Sequence, residues 1–183
     1  SKHIKIGGGI TKEITMGNDL PFTLIAGPCQ LQDMDLAMKI AEYMKKLTDK
    51  LGIQYIFKAS FDKANRNSVN GARGIGIDEG IKIFDRIRNE LGIPVITDIH
   101  TEEQAEIIAP HIDMIQQPAF LIRQTDLSVA IAKTGKACNL KKAQFMAPKD
   151  IKNTIGKYEA SGNTNLCLTE RGTSFGYGAL VVD

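Results

Sequence analysis

Short apolar runs rich in β-branched residues alternate along this chain with longer segments that have the spacing of amphipathic helices. The pattern predicts strands over residues 22–26, 55–59, 94–99, 114–117, 137–141 and 165–169. It predicts helices over residues 33–51, 78–91, 102–108, 126–133 and 149–159. Repeated strand-then-helix units are typical of α/β proteins with a parallel sheet, which is either an open doubly wound sheet or a barrel.

The first predicted helix has the clearest helical period. One stripe carries its apolar side chains Leu36, Ile40, Tyr43 and Leu47. Asp33 and Asp35 lie near the amino end, where the helix dipole favours negative charge. The spacing predicts an amphipathic helix that buries this stripe.

Polar side chains follow almost every predicted strand. They are Cys29, Lys58, Asp98 with His100, Gln116, Lys141 and Arg171. A doubly wound sheet concentrates its ligand groups at one switch point, whereas a barrel presents a ring of strand ends. The spread of these residues therefore favours a barrel with a site at the carboxyl ends of its strands.

The length of the chain limits how much of a barrel it can hold. Eight strand-helix units need about 250 residues, and six strands are predicted before the sequence stops at Asp183. We therefore expect one domain, residues 1–183, with the architecture of a (β/α)8 TIM barrel that lacks its last strands. Residues 3–6 and 13–16 flank three glycines and predict an N-terminal β-hairpin that closes the barrel floor.

Composition excludes several classes of function. The chain has 23 basic and 21 acidic residues, so it lacks the strong positive field that nucleic acids or anionic membranes attract. The sequence contains no apolar run of about 18 residues and its polar start does not resemble a signal peptide, which predicts a cytoplasmic protein. Three cysteines form no even disulfide framework, as expected in a reducing compartment.

The cations at the strand ends predict an anion site. Lys58, Lys63 and Arg66 fall within nine residues directly after an apolar run, and Lys141 and Arg171 follow later strands. A single lysine is about as often a solvated surface residue. Because these cations recur at one structural place, the ends of predicted strands, they favour instead a substrate with more than one anionic group.

Several motifs carry a resemblance to a known family. They are Ala26-Gly-Pro-Cys29, Phe57-Lys-Ala-Ser-Phe-Asp-Lys-Ala-Asn-Arg66, Thr97-Asp-Ile-His100, Ile115-Gln-Gln-Pro-Ala-Phe120, Arg123-Gln-Thr-Asp126, Asn139-Leu-Lys-Lys-Ala-Gln-Phe145 and Glu170-Arg-Gly-Thr-Ser-Phe-Gly-Tyr177. Together they resemble the 3-deoxy-D-manno-octulosonate 8-phosphate synthases, which condense phosphoenolpyruvate with D-arabinose 5-phosphate in lipopolysaccharide biosynthesis. The resemblance implies a transferase with a (β/α)8 barrel, usually assembled as a homotetramer.

The resemblance also implies roles for the strand-end residues. Lys58 and Lys63 would contact phosphoenolpyruvate and the region between the substrates, and Lys141 and Arg171 would hold its phosphate. Side chains alternate along a strand, so Lys141 and Lys142 face opposite ways, and the family pattern selects Lys141. Gln116 would bind a substrate or a water, although a core glutamine is an equal alternative from sequence alone.

The resemblance assigns the sugar phosphate to the segment that follows the predicted strand over residues 55–59. Asn65 and Arg66 would contact arabinose 5-phosphate, because a guanidinium suits phosphate. Family members commonly have serine directly after this arginine, whereas this chain has Asn67 and then Ser68. Ser68 is therefore the predicted hydroxyl contact.

Asp98 and His100 are two residues apart and share one face if the strand continues through them. An aspartate can fix a water, and a histidine exchanges protons near neutral pH. A buried histidine beside a capping aspartate is an equal alternative without the resemblance. With it, both residues belong to the predicted site.

Cys29 bears on the cofactor. One branch of the family has asparagine here and needs no metal, whereas the other binds a divalent cation through cysteine. The resemblance therefore implies zinc, iron or manganese at Cys29, with further His, Glu and Asp ligands that are absent from this sequence. A lone cysteine is by default a small buried residue, as expected for Cys138 and Cys167.

Three alternatives stay open. The synthase of the aromatic pathway, which uses erythrose 4-phosphate, normally has a Lys-Pro-Arg-Thr stretch where this chain has Lys63-Ala-Asn-Arg66. A noncatalytic phosphosugar-binding fragment is the second alternative. The third is a Schiff-base aldolase, which requires one desolvated lysine with a lowered pKa.

Overall fold

Six parallel strands form a sheet whose order in space follows the chain. A computed structural model describes residues 2–182, so Ser1 and Asp183, the two ends of the predicted domain, lie outside the described residues. The strands are β1 (Ile4–Gly8), β2 (Thr11–Met16), β3 (Thr23–Gln30), β4 (Gln54–Ser60), β5 (Val95–Asp98), β6 (Met114–Gln117), β7 (Ala137–Lys141), β8 (Leu166–Thr169), β9 (Thr173–Phe175) and β10 (Ala179–Val181). The helices are α1 (Met34–Leu51), α2 (Ile77–Arg86), α3 (Glu102–Ile108), α4 (Thr125–Lys133) and α5 (Ile151–Ala160).

The sheet runs in the order β3-β4-β5-β6-β7-β8, and one helix separates each strand from the next. A doubly wound sheet would reverse its order at a switch point, so this continuous order confirms the winding of a barrel. Within residues 2–182, β3 and β8 each pair with a strand on one side only. The described sheet is therefore an open arc of barrel type.

The two faces of the sheet bury different partners. One face packs under the helices in the main core, which includes Phe57, Val95 and Ile115. The other face carries Ile56 and Ile96 and packs against the hairpin of β1 and β2. The predicted hairpin is therefore confirmed, and it covers the amino-terminal end of the inner face.

Alternation along the strands then sets the character of the opposite end of the inner face. Two residues beyond Ile56 and Ile96 lie Lys58 and Asp98, on the same face of their strands. The inner face thus changes from apolar at the hairpin to polar at the carboxyl ends. The polar strand ends that the sequence predicted share this surface for the same reason.

Helix α1 begins and ends as its sequence predicts, but it buries another stripe. The Asp33 carboxylate accepts a hydrogen bond from the backbone nitrogen of Leu36 at 2.8 Å, and Gly52 ends the helix with φ 66°. The buried residues are Ala37, Met38, Ala41 and Thr48. Leu36, Tyr43 and Leu47 are exposed, so the predicted buried stripe was wrong in most of its members. Small residues allow a closer approach to the sheet than tyrosine does, which explains the choice of face.

Three segments differ from their predicted bounds. The predicted helix 78–91 is α2 followed by one π-helical turn, Ile87–Leu91. The start of the predicted helix 149–159 is a 3-10 turn, Pro148–Asp150, before α5. The small hairpin of β9 and β10 was not predicted, and its turn contains Gly176 at φ 64°. Within residues 2–182, no helix is both long and apolar enough to cross a membrane.

Candidate active site

A cavity of about 500 Å³ lies at the carboxyl ends of the parallel strands. Its lining includes the predicted residues Cys29, Lys58, Lys63, Asn65, Asp98, His100, Gln116, Lys141 and Arg171. Ser60 and the segment 118–121 complete the wall. A larger cleft of about 710 Å³ lies outside the barrel between α3 and α4, but its four carboxylates would repel an anion. The strand-end cavity is therefore the candidate active site.

A bulge in β3 brings Cys29 to this cavity. The register between β3 and β4 shifts between Ala26 and Cys29. Gly27 passes so close to β4 that a Cβ atom there would lie 1.8 Å from the carbonyl oxygen of Lys58. Cys29 follows with φ 62°, the one non-glycine residue in the described chain with positive φ. Strain of this kind is most often kept at functional sites.

A chain of hydrogen bonds runs along the wall between β4 and β5. The Lys63 ammonium donates to the Ser60 hydroxyl at 2.7 Å, and that hydroxyl donates to the Asp98 carboxylate. The second oxygen of Asp98 lies 3.3 Å from Nε2 of His100. Burial would raise the pKa of Asp98, but hydrogen bonds from His100 and Ser60 and the charge of Lys58 lower it to about 2. Asp98 is thus ionised at neutral pH.

Four cations converge on the cavity. Burial lowers the pKa of Lys141, and the charges of Lys58, Arg171 and Lys63 lower it further, although Asp98 opposes them. Asp98 is the one carboxylate among the residues that line the cavity. The cavity therefore carries an excess of positive charge, which an anionic ligand would neutralise.

An amide ladder supports Gln116 across three neighbouring strands. Asn139 Nδ2 donates to Gln116 Oε1 at 3.1 Å, and Thr169 Oγ1 donates to Asn139 Oδ1 at 2.7 Å. Gln116 and Asn139 are almost fully buried. Because its oxygen is occupied, Gln116 presents its amide nitrogen as the group that can donate to a ligand.

Two predicted substrate contacts lie away from the cavity wall. The Arg66 guanidinium donates to the carbonyl oxygens of Lys63 and Val69 at 3.5 Å, and its Nε is buried without a partner among residues 2–182. Ser68 is exposed, and its hydroxyl accepts a hydrogen bond from the backbone nitrogen of Asn70. Asn65 alone of this group lines the cavity. The predicted roles of Arg66 and Ser68 stay predictions.

Sequence reasoning missed Ser60 and Gln144, and it gave Lys142 no role. Ser60 lies two residues beyond Lys58, so the alternation that selects Lys58 also selects Ser60. Gln144 accepts a hydrogen bond from Arg171, and Lys142 is buried behind the cavity. The contacts of Gln144 and Lys142 depend on how the segments after β7 and β8 meet, and the spacing of residues in the sequence does not predict this.

The donors for a metal ion are incomplete. Within residues 2–182, no group of three or more His, Cys, Asp or Glu side chains comes together as a metal site. Cys29 is exposed in the cavity and supplies one thiol. The described residues therefore do not fit a metal site by themselves, and metal binding at Cys29 stays a prediction.

The other two cysteines lie in the core, as predicted. Cys138 is fully buried and Cys167 is partly buried. Burial raises the pKa of both thiols, that of Cys167 to about 12. Neither thiol is a nucleophile at neutral pH.

The backbone at Cys29 gives a stability prediction. Asn tolerates positive φ better than other residues with a Cβ atom, so we expect Cys29→Asn to be ~0.5–1 kcal/mol more stable than Cys29→Ala. Urea unfolding measures the difference. The same pair at buried Cys138 is the control, where Asn should be less stable than Ala by ~1–3 kcal/mol. Equal stabilities of the two Cys29 variants would show that this residue is not strained.

Comparison with known proteins agrees with the fold. Residues 4–182 match the family described as DAHP synthetase I. The chain is 51% identical over 180 residues to the 2-dehydro-3-deoxyphosphooctonate aldolase of Brucella canis, covering 98% of this chain and 63% of that protein. It is 54% identical over 171 residues to the protein of the same name from Chelativorans, covering 93% of this chain and 62% of the relative. The chain therefore spans a little under two thirds of the length of these relatives. With a matched segment of this extent and a barrel-type sheet, the chain belongs to the DAHP synthetase I family.

Proposed function

We propose that the protein is a 3-deoxy-D-manno-octulosonate 8-phosphate synthase, a transferase of lipopolysaccharide biosynthesis. It would condense phosphoenolpyruvate with D-arabinose 5-phosphate and release phosphate. The observation that carries the proposal is the convergence of Lys58, Lys63, Lys141 and Arg171 on one cavity. The names of the relatives at 51% and 54% identity support the same reaction.

The charges of the cavity suit these substrates. Phosphoenolpyruvate brings a carboxylate and a phosphate, and the sugar brings a second phosphate. Arg171 offers a planar fork for one phosphate, and the lysines offer point charges for the remaining groups. Because these cations repel one another, binding of the anions relieves their repulsion.

The reaction forms one carbon-carbon bond, forms one carbon-oxygen bond from water and breaks the carbon-oxygen bond to phosphate. C3 of phosphoenolpyruvate attacks the aldehyde carbon, and the aldehyde oxygen takes a proton. Water adds at C2 and gives up one proton, which balances the proton taken by the aldehyde oxygen. The C2–O bond to phosphate then breaks while the new C2 hydroxyl passes its remaining proton to the leaving phosphate, which leaves a ketone and inorganic phosphate. The hydrogen-bonded chain Lys63, Ser60, Asp98 and His100 lies where it can hold these protons.

A direct assay tests the proposal against its rivals. Phosphoenolpyruvate is offered with arabinose 5-phosphate or erythrose 4-phosphate, and phosphate release and sugar-acid product are measured. We expect kcat/KM to be at least ~100-fold higher with the five-carbon sugar. The reverse preference would identify the enzyme of the aromatic pathway, which the description of the matched family favours as the second candidate.

Two further measurements separate the remaining alternatives. A calorimetric titration that shows binding of both substrates without turnover would identify a phosphosugar-binding protein. Borohydride with substrate would trap a lysine adduct if the protein were a Schiff-base aldolase, and we expect none. For the borohydride experiment Lys133→Met on α4 is the control lysine variant, since Lys133 lies outside the strand-end cavity.

A metal requirement is a separate part of the proposal. Cys29 would supply one ligand to zinc, iron or manganese, and the other donors would have to come from outside residues 2–182. No step above depends on a metal. Metal content after purification, compared between Cys29→Ser and Cys167→Ser, tests the assignment. Equal metal content in both variants would exclude Cys29 as a ligand.

We further propose a cytoplasmic homotetramer that acts on small molecules and binds neither nucleic acid nor membrane. Support comes from the resemblance to the synthases, from a formal net charge of only +2, and from large exposed apolar side chains such as Tyr43 and Phe175. Sedimentation velocity would measure the assembly. A monomer at micromolar concentration would contradict it.

The pKa of Lys141 gives a prediction for the pH dependence of binding. Because burial and neighbouring cations lower this pKa, Lys141 loses its charge at a lower pH than an exposed lysine does. We expect the dissociation constant of phosphoenolpyruvate to rise with pH above that pKa. In Lys141→Arg, which stays charged, the rise should begin at higher pH. Identical alkaline profiles of the two proteins would show that Lys141 does not contact the anion.

A further inference from the structure

Lys142 is a buried cation that does not line the cavity. Its side chain is only 4% exposed, and its ammonium points away from the surface that Lys141 occupies, as alternation requires. The ammonium donates to the carbonyl oxygens of Ala143 at 3.0 Å and Met146 at 3.3 Å. It also donates to the carbonyl oxygen of Gly172 at 3.1 Å.

These contacts join the two loops that follow β7 and β8. Thr173 Oγ1 accepts a further hydrogen bond from Lys142 at 3.3 Å, and Glu170 Oε1 lies 3.5 Å from the ammonium. Ala143 and Met146 belong to the first loop, Glu170 and Gly172 belong to the second, and Thr173 is the first residue of β9, which follows the second loop. One ammonium therefore ties both loops to the strand end from which it emerges.

Arg171 lies at the centre of the second loop. Its backbone nitrogen donates to Glu170 Oε1 at 2.8 Å, and its guanidinium donates to Gln144 Oε1. The first loop is also joined to β9, where the backbone nitrogen of Ser174 donates to the carbonyl oxygen of Gln144 at 2.7 Å. The position of the guanidinium thus depends on the junction that Lys142 organises.

We infer that Lys142 is a positioning residue for Arg171, holding the guanidinium where it meets the phosphate of phosphoenolpyruvate. This inference rests on the proposed function, since it needs phosphoenolpyruvate as the ligand of Arg171. A neutral side chain cannot hold three carbonyl oxygens together, because buried acceptors then lack a donor. An arginine at this position has a planar fork that does not match acceptors arranged around one nitrogen.

Selective loss of one substrate distinguishes this role from general stability. In Lys142→Met we expect the dissociation constant of phosphoenolpyruvate to rise ~10- to 100-fold, with that of arabinose 5-phosphate changed less than ~2-fold. Isothermal titration calorimetry of the complete protein measures both constants. Lys142→Arg should not restore phosphoenolpyruvate binding.

A milder variant keeps the test valid if Lys142→Met does not fold. Thr173→Val removes one acceptor and keeps the shape, and it should weaken phosphoenolpyruvate binding ~3-fold. Thr154→Val is the matched control, because that hydroxyl is buried against the carbonyl oxygen of Ile122 on another part of the barrel. It should leave both dissociation constants unchanged.

The outcomes separate the two levels of inference. If the unchanged protein binds neither substrate, the proposed function fails and the role of Lys142 fails with it. If the unchanged protein binds both, and Lys142→Met or Thr173→Val weakens neither or both equally, the positioning role alone is wrong. Selective loss of phosphoenolpyruvate supports it.

Discussion

Arg171→Met is expected to lower kcat/KM for phosphoenolpyruvate by ~10³-fold, about 4 kcal/mol of transition-state stabilisation. Arg171 lines the cavity beside Lys141, and the two groups lie close enough for the guanidinium to lower the pKa of the lysine. A phosphate that leaves during the reaction gains charge on its oxygens, so its cationic contacts strengthen in the transition state. Loss of the arginine should therefore lower kcat as well as raise KM.

Two companion variants sharpen this prediction. Arg171→Lys keeps the charge but loses the fork, and a loss of ~10- to 100-fold is expected. Arg86→Met is the control, because Arg86 is exposed on α2 and pairs with Glu90 at the surface. Steady-state kinetics of the three proteins at equal melting temperature measures the effect. A change below ~10-fold in Arg171→Met would exclude Arg171 from the phosphate site.

The double variant of Arg171→Met and Lys142→Met links this result to the loop junction. If Lys142 acts through the guanidinium, Lys142→Met should lower kcat/KM only slightly further in a protein that already carries Arg171→Met. The two losses should then be far from additive. Additive losses would mean that Lys142 affects activity by another route.

Alternation explains why much of the fold and site could be predicted. Side chains alternate along a parallel strand, so every second residue at the carboxyl end can face a ligand, and this placed Lys58, Asp98 and Gln116 at one edge of the sheet. The resemblance was needed to assign Asp98 and Gln116 to a site. The bounds of β6 and β7 agree with the predicted ranges. The same rule predicts that Lys141 and Lys142 face opposite ways, and the family resemblance selected Lys141.

Properties that depend on how distant segments meet could not be predicted. The apolar period of α1 is real, but only packing shows that the sheet accepts Ala37 and Ala41 rather than Tyr43. The partners of Lys142 come from residues up to 31 positions away in sequence. The direction of the Arg66 side chain depends on an irregular loop, where no period constrains it. Local patterns thus identify strand ends, whereas loop contacts decide which side chains reach the cavity.

Asp98→Asn is expected to destabilise the protein at neutral pH and to remove most of its activity. The pKa of Asp98 is about 2, against an ordinary value of 3.8, despite a burial that opposes ionisation. The shift corresponds to ~2 kcal/mol of stability. Asparagine also leaves Lys58 and Lys141 without the one carboxylate on the cavity wall, which adds repulsion to the lost hydrogen bonds.

The sign of the pH dependence follows from the lowered pKa. Stability contributed by Asp98 is complete above the ordinary pKa of 3.8 and is lost as pH falls towards about 2. The free energies of unfolding of the unchanged protein and of Asp98→Asn should therefore differ by a constant amount above pH ~5 and converge below pH ~4. Asp126→Asn, at an exposed position on α4, is the control variant.

Activity should fall ~10²- to 10³-fold in Asp98→Asn, because the proton chain from Lys63 to His100 loses its acceptor. Urea unfolding between pH 3 and 7 and steady-state kinetics at pH 7 measure the two effects separately. If the stability difference stays constant down to pH 3, Asp98 is not the group whose ionisation holds this wall together. In that case repulsion among the cations, rather than the Asp98 carboxylate, would control the shape of the cavity. The negative charge that balances these cations would then have to come from the ligand.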